Sequence, residues 1–435
     1  VIRYRQDILT DFLNVPELEN VITDNINAIF RHDRTASSKV QGSFISLASR
    51  LTGIENYIAC IDNFYVFYKE NAKRIKSDGL KAFFEYINEV HDSQDFKTLV
   101  KETANLRETL TTKISSITIG INFDHAMRPV ESVLLSIGSK PFKEKSVLAR
   151  LFNMESDNDN NPYRISTMHR LDPKLEYSGL DGALFNDLKE ITHQVVNNFS
   201  NVLKLYYNIN ISLFVELHSQ FSFYMGAAKM IKYYRSHGLE MCRPEIADMD
   251  ERIFDVRNTC DLAFAARLKK DDYHMDFSKT IVLNDISMSD KGRIFILTGP
   301  NQGGKTTYTR AIGVCQVLFQ AGLFIPGTYA RISPVDWIYT HFPKEEVVGF
   351  QSSRLSEECR QFTDTFGKAT CYSLILMNES LQSTTALEGI YLSREVLKII
   401  RYLGCRAVFT THLLELVNEI EGIHNEVDGD NKIIS

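Results

Sequence analysis

The sequence is poor in the residues that staple or tether a chain. Its seven cysteines, Cys60, Cys242, Cys260, Cys315, Cys359, Cys371 and Cys405, are odd in number and no two have C-x-x-C spacing. That argues against a disulfide framework and a cysteine-built zinc site; thiols kept reduced in a cytoplasm, mostly as small core residues, are expected. An excess of one charge is also missing, since 49 Lys and Arg face 55 Asp and Glu for a net charge of −6. No overall basic field draws the chain to nucleic acid, although a local basic stripe can sit on an acidic protein. No apolar run reaches the length of a membrane span, so no membrane partner is expected. The chain opens Val1-Ile2-Arg3-Tyr4-Arg5, with neither an initiator Met nor a signal peptide, and is expected to be a segment of something longer. What is present is ordinary for a globular protein: 44% hydrophobic and 24% charged residues, in a length that allows two or three domains.

Hydrophobic periodicity divides the chain. Residues 1–112 read as helices, with Leu9, Phe12 and Leu13 on one face and Leu80, Phe83, Phe84 and Ile87 on another. The period then changes to two: Ile117, Ile119, Ile121 and Phe123 alternate with Thr118, Gly120 and Asn122, a half-buried strand whose partner is Val133-Leu134-Leu135-Ser136-Ile137. A polar loop, Glu155 to Pro162, lies within this β-containing insertion over 113–180. Over 181–241 the helical pattern returns. Leu184, Leu188, Ile191, Val195, Phe199, Val202 and Tyr206 keep helical spacing, with no Gly or Pro between Gly182 and Gly226. One helix across that gap would be about 60 Å long. Two shorter helices joined near Asn208-Ile209-Asn210 fit the pattern equally. From 242 to 435 strands alternate with helices, as in an α/β domain.

Gly299-Pro300-Asn301-Gln302-Gly303-Gly304-Lys305-Thr306 fits the phosphate-loop pattern G-x-x-x-x-G-K-[ST]. The buried-strand run Ile294-Phe295-Ile296-Leu297 precedes it and a helix from Tyr308 to Gln320 follows, which is the context that separates such a loop from a mere glycine turn. Glycines let backbone N–H groups close on phosphate oxygens at a helix N-terminus. Lys305 is expected to reach the β- and γ-phosphates of ATP and the Thr306 hydroxyl to ligate Mg²⁺. A second apolar strand, Tyr372 to Met377, ends in Asn378-Glu379. Glu379 is the candidate base or water-orienting carboxylate, and Asn378 stands where an Asp usually serves the Mg²⁺ shell. His412 closes the strand Ala407-Val408-Phe409-Thr410 and is a candidate γ-phosphate sensor; a lone strand-end His is also compatible with a structural role.

That order of motifs resembles the ATPase domain of the MutS family of DNA mismatch-repair proteins, over about residues 240–420. Thr298 to Tyr308 is similar to the family's phosphate loop, with Gln302 where Met is usual, and Thr411-His412-Leu413-Leu414-Glu415-Leu416 is similar to its T-H-x-x-E-L motif. The segment Thr340 to Thr370 keeps the family's spacing without a gap. The resemblance implies nucleotide and metal roles for Asn301, Lys305, Thr306 and Thr307. It puts Ser353 on the serine that contacts the γ-phosphate of the partner subunit's ATP, and Glu358 on the acidic residue of the same helix. The implied fold is multidomain: an all-α lever/core with a small β insertion, then a P-loop α/β (ABC-type) ATPase domain. More weakly, Tyr4-Arg5-Gln6-Asp7-Ile8-Leu9 is similar to the start of the family's helical core, and the insertion sits where the family carries its DNA-holding clamp. Lys140, Lys143, Lys145 and Arg150 lie there and could touch DNA phosphates, or form a solvated charged loop diluted by Glu144.

The departures matter as much. Where the family reads Asp-Glu-Leu-Gly-Arg-Gly-Thr, this chain reads Asn378-Glu379-Ser380-Leu381-Gln382-Ser383-Thr384. No segment resembles the family's N-terminal mismatch-reading module, and Glu426-Val427-Asp428-Gly429-Asp430 falls where the family continues toward a dimer-supporting helical segment. We therefore expect a homodimer with composite ATP sites that binds double-stranded or branched DNA. The alternatives are a slow or non-hydrolysing nucleotide switch, and an interaction protein that kept the fold.

Overall fold

The computed structural model describes residues 1–36, 44–113, 116–123, 125, 129–138, 214, 216–271, 276–300, 303–342, 354–381, 384–429 and 431–435. Two compact units emerge. One comprises Glu17–Lys73 and Lys81–Ser222; the other comprises Val1–Pro16, Arg74–Leu80 and Phe223–Ser435.

The first unit holds most of α2 (Pro16–Ala36), α3 (Phe44–Asn71), α4 (Asp78–Asp92) and α5 (Gln94–Lys113). Its core is aromatic. Phe64 meets Phe83 and Phe84 edge-on and stacks on Phe214, with Tyr57 edge-on to the same Phe214. The helix-period reading of Leu80, Phe84 and Ile87 corresponds to three buried residues of α4. Strands β1 (Ser116–Phe123) and β2 (Pro129–Gly138) pair antiparallel with Ile117 opposite Ile137, as the alternation anticipates. Of the long helical stretch, Leu184 to Tyr206 lies outside the described residues. A helix covers 216–236 and runs through Gly226, where a Cβ would meet no heavy atom within 4 Å. The stop comes later, at Gly238 with φ +83°.

The second unit is built on a five-stranded parallel sheet, ordered β10 (Ile338–His341), β11 (Leu374–Asn378), β12 (Arg406–Thr410), β7 (Ile294–Leu297) and β13 (Ile433–Ile434). Its central strands β7, β11 and β12 are buried on both faces, which is why they read as mainly apolar runs. Phe295, Leu374, Leu376 and Val408 point to one face, where Ile312, Cys315 and Phe319 of the helix Lys305–Gln320 cover them. Ile294, Ile296, Ile375, Met377, Ala407 and Phe409 point to the other, under Val396, Leu397 and Ile400 of the helix Ala386–Leu403. Each buried Val, Leu, Ile, Phe or Met side chain among them stabilises by roughly 1.5–3 kcal/mol.

A second, four-stranded sheet, ordered β4 (Glu245–Ile246), β9 (Tyr329–Ile332), β5 (Phe254–Thr259) and β6 (Asn284–Met288), joins the first core cluster. A short pair, β3 (Met241–Cys242) with β8 (Ile325–Pro326), stands beside it in the chain order. Arg406, at the start of β12, is fully buried and spans Ile253 O at 2.8 Å, Pro334 O at 3.0 Å and Ser333 O at 3.1 Å. Burial pushes its pKa down to about 10, so it stays charged at neutral pH and acts as a three-carbonyl tie.

Helix α1 (Ile2–Asn14) belongs to this unit. Gln6 Nε2 donates to Pro244 O at 3.1 Å, and Arg5 Nη1 donates to Ala321 O at 3.3 Å. Gly322 makes the approach possible: its φ is +81°, and a Cβ there would lie 2.4 Å from the Cβ of Arg5. The buried Asp11 carboxylate accepts the backbone N–H of Lys76 at 3.0 Å and of Ser77 at 2.8 Å, fixing residues 74–80 to α1. No helix among the described residues is long and apolar enough to cross a membrane.

Candidate functional site

The polar residues of interest gather where β7, β11 and β12 end, the edge at which open parallel sheets present their ligands. β7 stops at Leu297, and the turn from Thr298 leads into the helix that starts at Lys305. Gly299 has φ +140° and Gly304, the N-cap, has φ +84°. A Cβ at either would meet no heavy atom within 4 Å, so the glycines are there for backbone conformation and the space beside them is open. Gly303 N donates to Pro300 O at 3.2 Å, closing the turn.

Lys305 is buried, yet it makes no ion pair with a carboxylate among the described residues. Its Nζ donates to Gly299 O at 2.8 Å and Pro300 O at 2.9 Å, and lies 3.5 Å from His412 Nδ1. His412 Nε2 is 2.8 Å from Glu379 Oε1. An ammonium cannot accept and a carboxylate cannot donate, so Nδ1 is the acceptor and Nε2 carries the proton. Lys305, His412 and Glu379 thus form one directed chain of hydrogen bonds. Beside it, Thr306 Oγ1 donates to Asn378 Oδ1 at 2.9 Å, and Asn378 is buried. Thr307 sits in the first helical turn, half-buried.

These residues fit a nucleotide with its Mg²⁺. A buried, carboxylate-free cation suits an anion, and the open glycine turn admits one at a helix N-terminus. The Thr306 hydroxyl, its proton directed at Asn378, keeps lone pairs for a hard cation. Asn378 contributes an oxygen but no charge. Among the described residues no group of three His, Cys, Asp or Glu could hold a metal ion by itself, so an ion here would depend on Thr306 and on oxygens of its ligand.

The turn after β11 is the less expected part. Glu379 has φ +52° and Leu381 φ +63°, conformations that cost a residue with a Cβ about 1–2 kcal/mol each. Glu379 N donates to Thr410 O at 2.9 Å. Ser380, buried, lies with its Oγ 2.7 Å from His341 Nδ1, and Leu381 N donates to Glu358 Oε2 at 3.2 Å. Sequence reading singled out Glu379 but not its supports, His341 and Ser380. The available signal was the family's glycine at the position of Leu381, which marks a left-handed turn. It also missed the hydroxyl pair Thr309 Oγ1 to Thr410 Oγ1, 2.9 Å apart, which ties the loop helix to β12.

The structure therefore brings together Gly299, Pro300, Gly303, Gly304, Lys305, Thr306, Asn378, Glu379 and His412. Asn301, Gln302, Ser353, Lys140, Lys143, Lys145 and Arg150 lie outside the described residues.

Comparison with known proteins agrees with this architecture. Residues 1–236 match the family model of the MutS2 N-terminal domain, and residues 295–431 match that of MutS domain V. DNA mismatch repair protein MutS of Fervidobacterium nodosum is 30% identical over 217 residues, which is 50% of this chain and 24% of that protein. The protein of the same name from Thermosipho melanesiensis is 35% identical over 148 residues, 33% of this chain and 18% of the relative. MutS protein homolog 4 of Mus musculus is 31% identical over 152 residues, 34% and 16% respectively. The matched stretches span a quarter or less of these relatives' length. Since one family model covers more than half of its 435 residues and another most of its parallel sheet, the chain belongs to the MutS family.

Proposed function

We propose that this chain is an ATP-dependent DNA-binding protein of the MutS type, which binds and hydrolyses ATP. The observation that carries the proposal is the convergence of Lys305, the His412–Glu379 pair and the Thr306–Asn378 pair at one end of a parallel sheet. Lys305 would exchange its two carbonyl partners for phosphate oxygens. Glu379 would take the proton of the attacking water, with His412 fixing the carboxylate and sensing the terminal phosphate. When bound at Thr306, Mg²⁺ would draw charge from the phosphate oxygens. We place Ser353 in the partner subunit's site, making a homodimer with composite sites. The helices of 1–112 and 181–241 are proposed as lever and core, the insertion over 113–180 as the DNA clamp with Lys140, Lys143, Lys145 and Arg150 on phosphates, and 242–435 as the ATPase domain. ATP would then drive lever and clamp rearrangement on duplex or branched DNA.

The test is MgATP turnover and nucleotide binding, each with and without DNA. Turnover that responds to DNA and is lost together with nucleotide binding in Lys305→Ala is the expected result. A wild-type protein that binds no nucleotide, or no duplex, mismatched or branched DNA at any salt concentration, would sink the reading.

A second reading, a switch that binds ATP and hydrolyses it slowly, is favoured by Asn378. Its amide oxygen satisfies Thr306 as a carboxylate would, but supplies none of the negative charge that holds the metal shell.

A further inference from the structure

Glu379 reaches His412 from a turn that its own residues disfavour. Two of the three residues Glu379, Ser380 and Leu381 are left-handed and none is glycine. Such a turn persists only where its surroundings dictate it. On one side β12 supplies Thr410 O. On the other, the contacts come from the helix Arg354–Phe366 and from β10. Glu358, buried on that helix, accepts the Leu381 N–H. His341, the last residue of β10, holds Ser380 and packs its ring on Phe362 of the same helix, with centroids 4.8 Å apart. A carboxylate accepting a backbone N–H is a charge-assisted bond, stronger than the peptide partner it replaces.

We propose that Glu358 is a positioning residue for ATP hydrolysis: by holding the Leu381 N–H in a turn that has no glycine, it keeps the Glu379 carboxylate on His412. The claim rests on the ATPase reading above for its kinetic consequence, but not for its structural one. The contact that Glu358 makes with the turn is to Leu381 and not to the phosphate loop, so its loss is expected to act on the chemical step. A displacement of about 1 Å at such a carboxylate costs up to about 100-fold in rate.

The test uses the whole chain and three variants. Glu358→Ala should lower kcat by about 10- to 100-fold while nucleotide affinity and KM stay within about 3-fold. Glu358→Gln keeps an acceptor oxygen and should restore most of the rate. Adding Leu381→Gly to Glu358→Ala should recover part of it, because glycine takes a φ near +63° unaided. Amide exchange of the peptide containing Glu379–Leu381 should quicken in Glu358→Ala and not in Glu358→Gln. An unchanged kcat in Glu358→Ala, or an equal loss in Glu358→Gln, overturns the proposal. If the wild-type protein turns over no MgATP, the ATPase reading fails and exchange decides the structural claim: quickening in Glu358→Ala alone upholds it, and unchanged protection removes it.

Discussion

Two turns at the head of the parallel sheet solve the same backbone problem in different ways. In the turn from Gly299 to Gly304 the positive φ values among the described residues fall at glycines, and Gly303 N donates to Pro300 O. The turn from Glu379 to Leu381 takes its positive φ values at residues with a Cβ, and borrows Thr410, His341 and Glu358 to hold them. The first is written in adjacent residues. The second is written in contacts across 20 or more positions, such as Glu358 to Leu381, |i−j| = 23. The conformation of the glycine turn is therefore robust to distant substitution, whereas placement of the carboxylate is exposed to it.

The sharpest way to separate the two turns is to disable the carboxylate and leave the loop alone. Glu379→Gln is expected to lower kcat by about 100- to 1,000-fold, with nucleotide affinity within about 3-fold; a parallel loss of affinity would mean the turns are not independent. Next comes stability. Leu381 is buried, so Leu381→Gly alone loses about 3 kcal/mol of packing and regains about 1–2 kcal/mol of strain. Urea unfolding should show a net loss of about 1–2 kcal/mol, and a more stable variant would show that strain, not packing, dominates the turn. On the other side, Gly304→Ala meets no atoms and pays only conformational strain. Nucleotide binding should weaken by about tenfold, the equivalent of about 1.4 kcal/mol; unchanged affinity would mean that the loop does not need the left-handed N-cap. The smallest effect is the gain in Asn378→Asp, a rise in kcat of about 2- to 10-fold in saturating Mg²⁺. No rise would show that the amide serves as well as the carboxylate.

The glycine turn was legible in the sequence because its cause is local: an eight-residue pattern between an apolar strand and a helix is visible without any fold. The strands β7, β11 and β12 were legible for a related reason, since burial on both faces leaves continuous apolar runs. The proximity of His412 to Glu379 could be anticipated from their places at the ends of two buried parallel strands, and the resemblance agrees with that order. Of the second turn's supports, Glu358 was marked by the resemblance but without the contact it makes, and the others were not legible. His341, Glu358 and Ser380 have no shared periodicity, and a left-handed leucine leaves no signature in composition. Nor did helical spacing reveal that α1 lies against residues 243–244 and 321–322, because an amphipathic face says that it will be covered and not by what.

The helix Lys305–Gln320 is about 24 Å of stiff rod. At its head is the ammonium group of Lys305; at its foot, Ala321 O holds Arg5 and Gly322 presses on the same side chain. A rod converts a small tilt at one end into an opposite displacement at the other. A tilt of this rod at Lys305 would therefore displace the contact between Ala321 and Arg5 of the first helix of the chain.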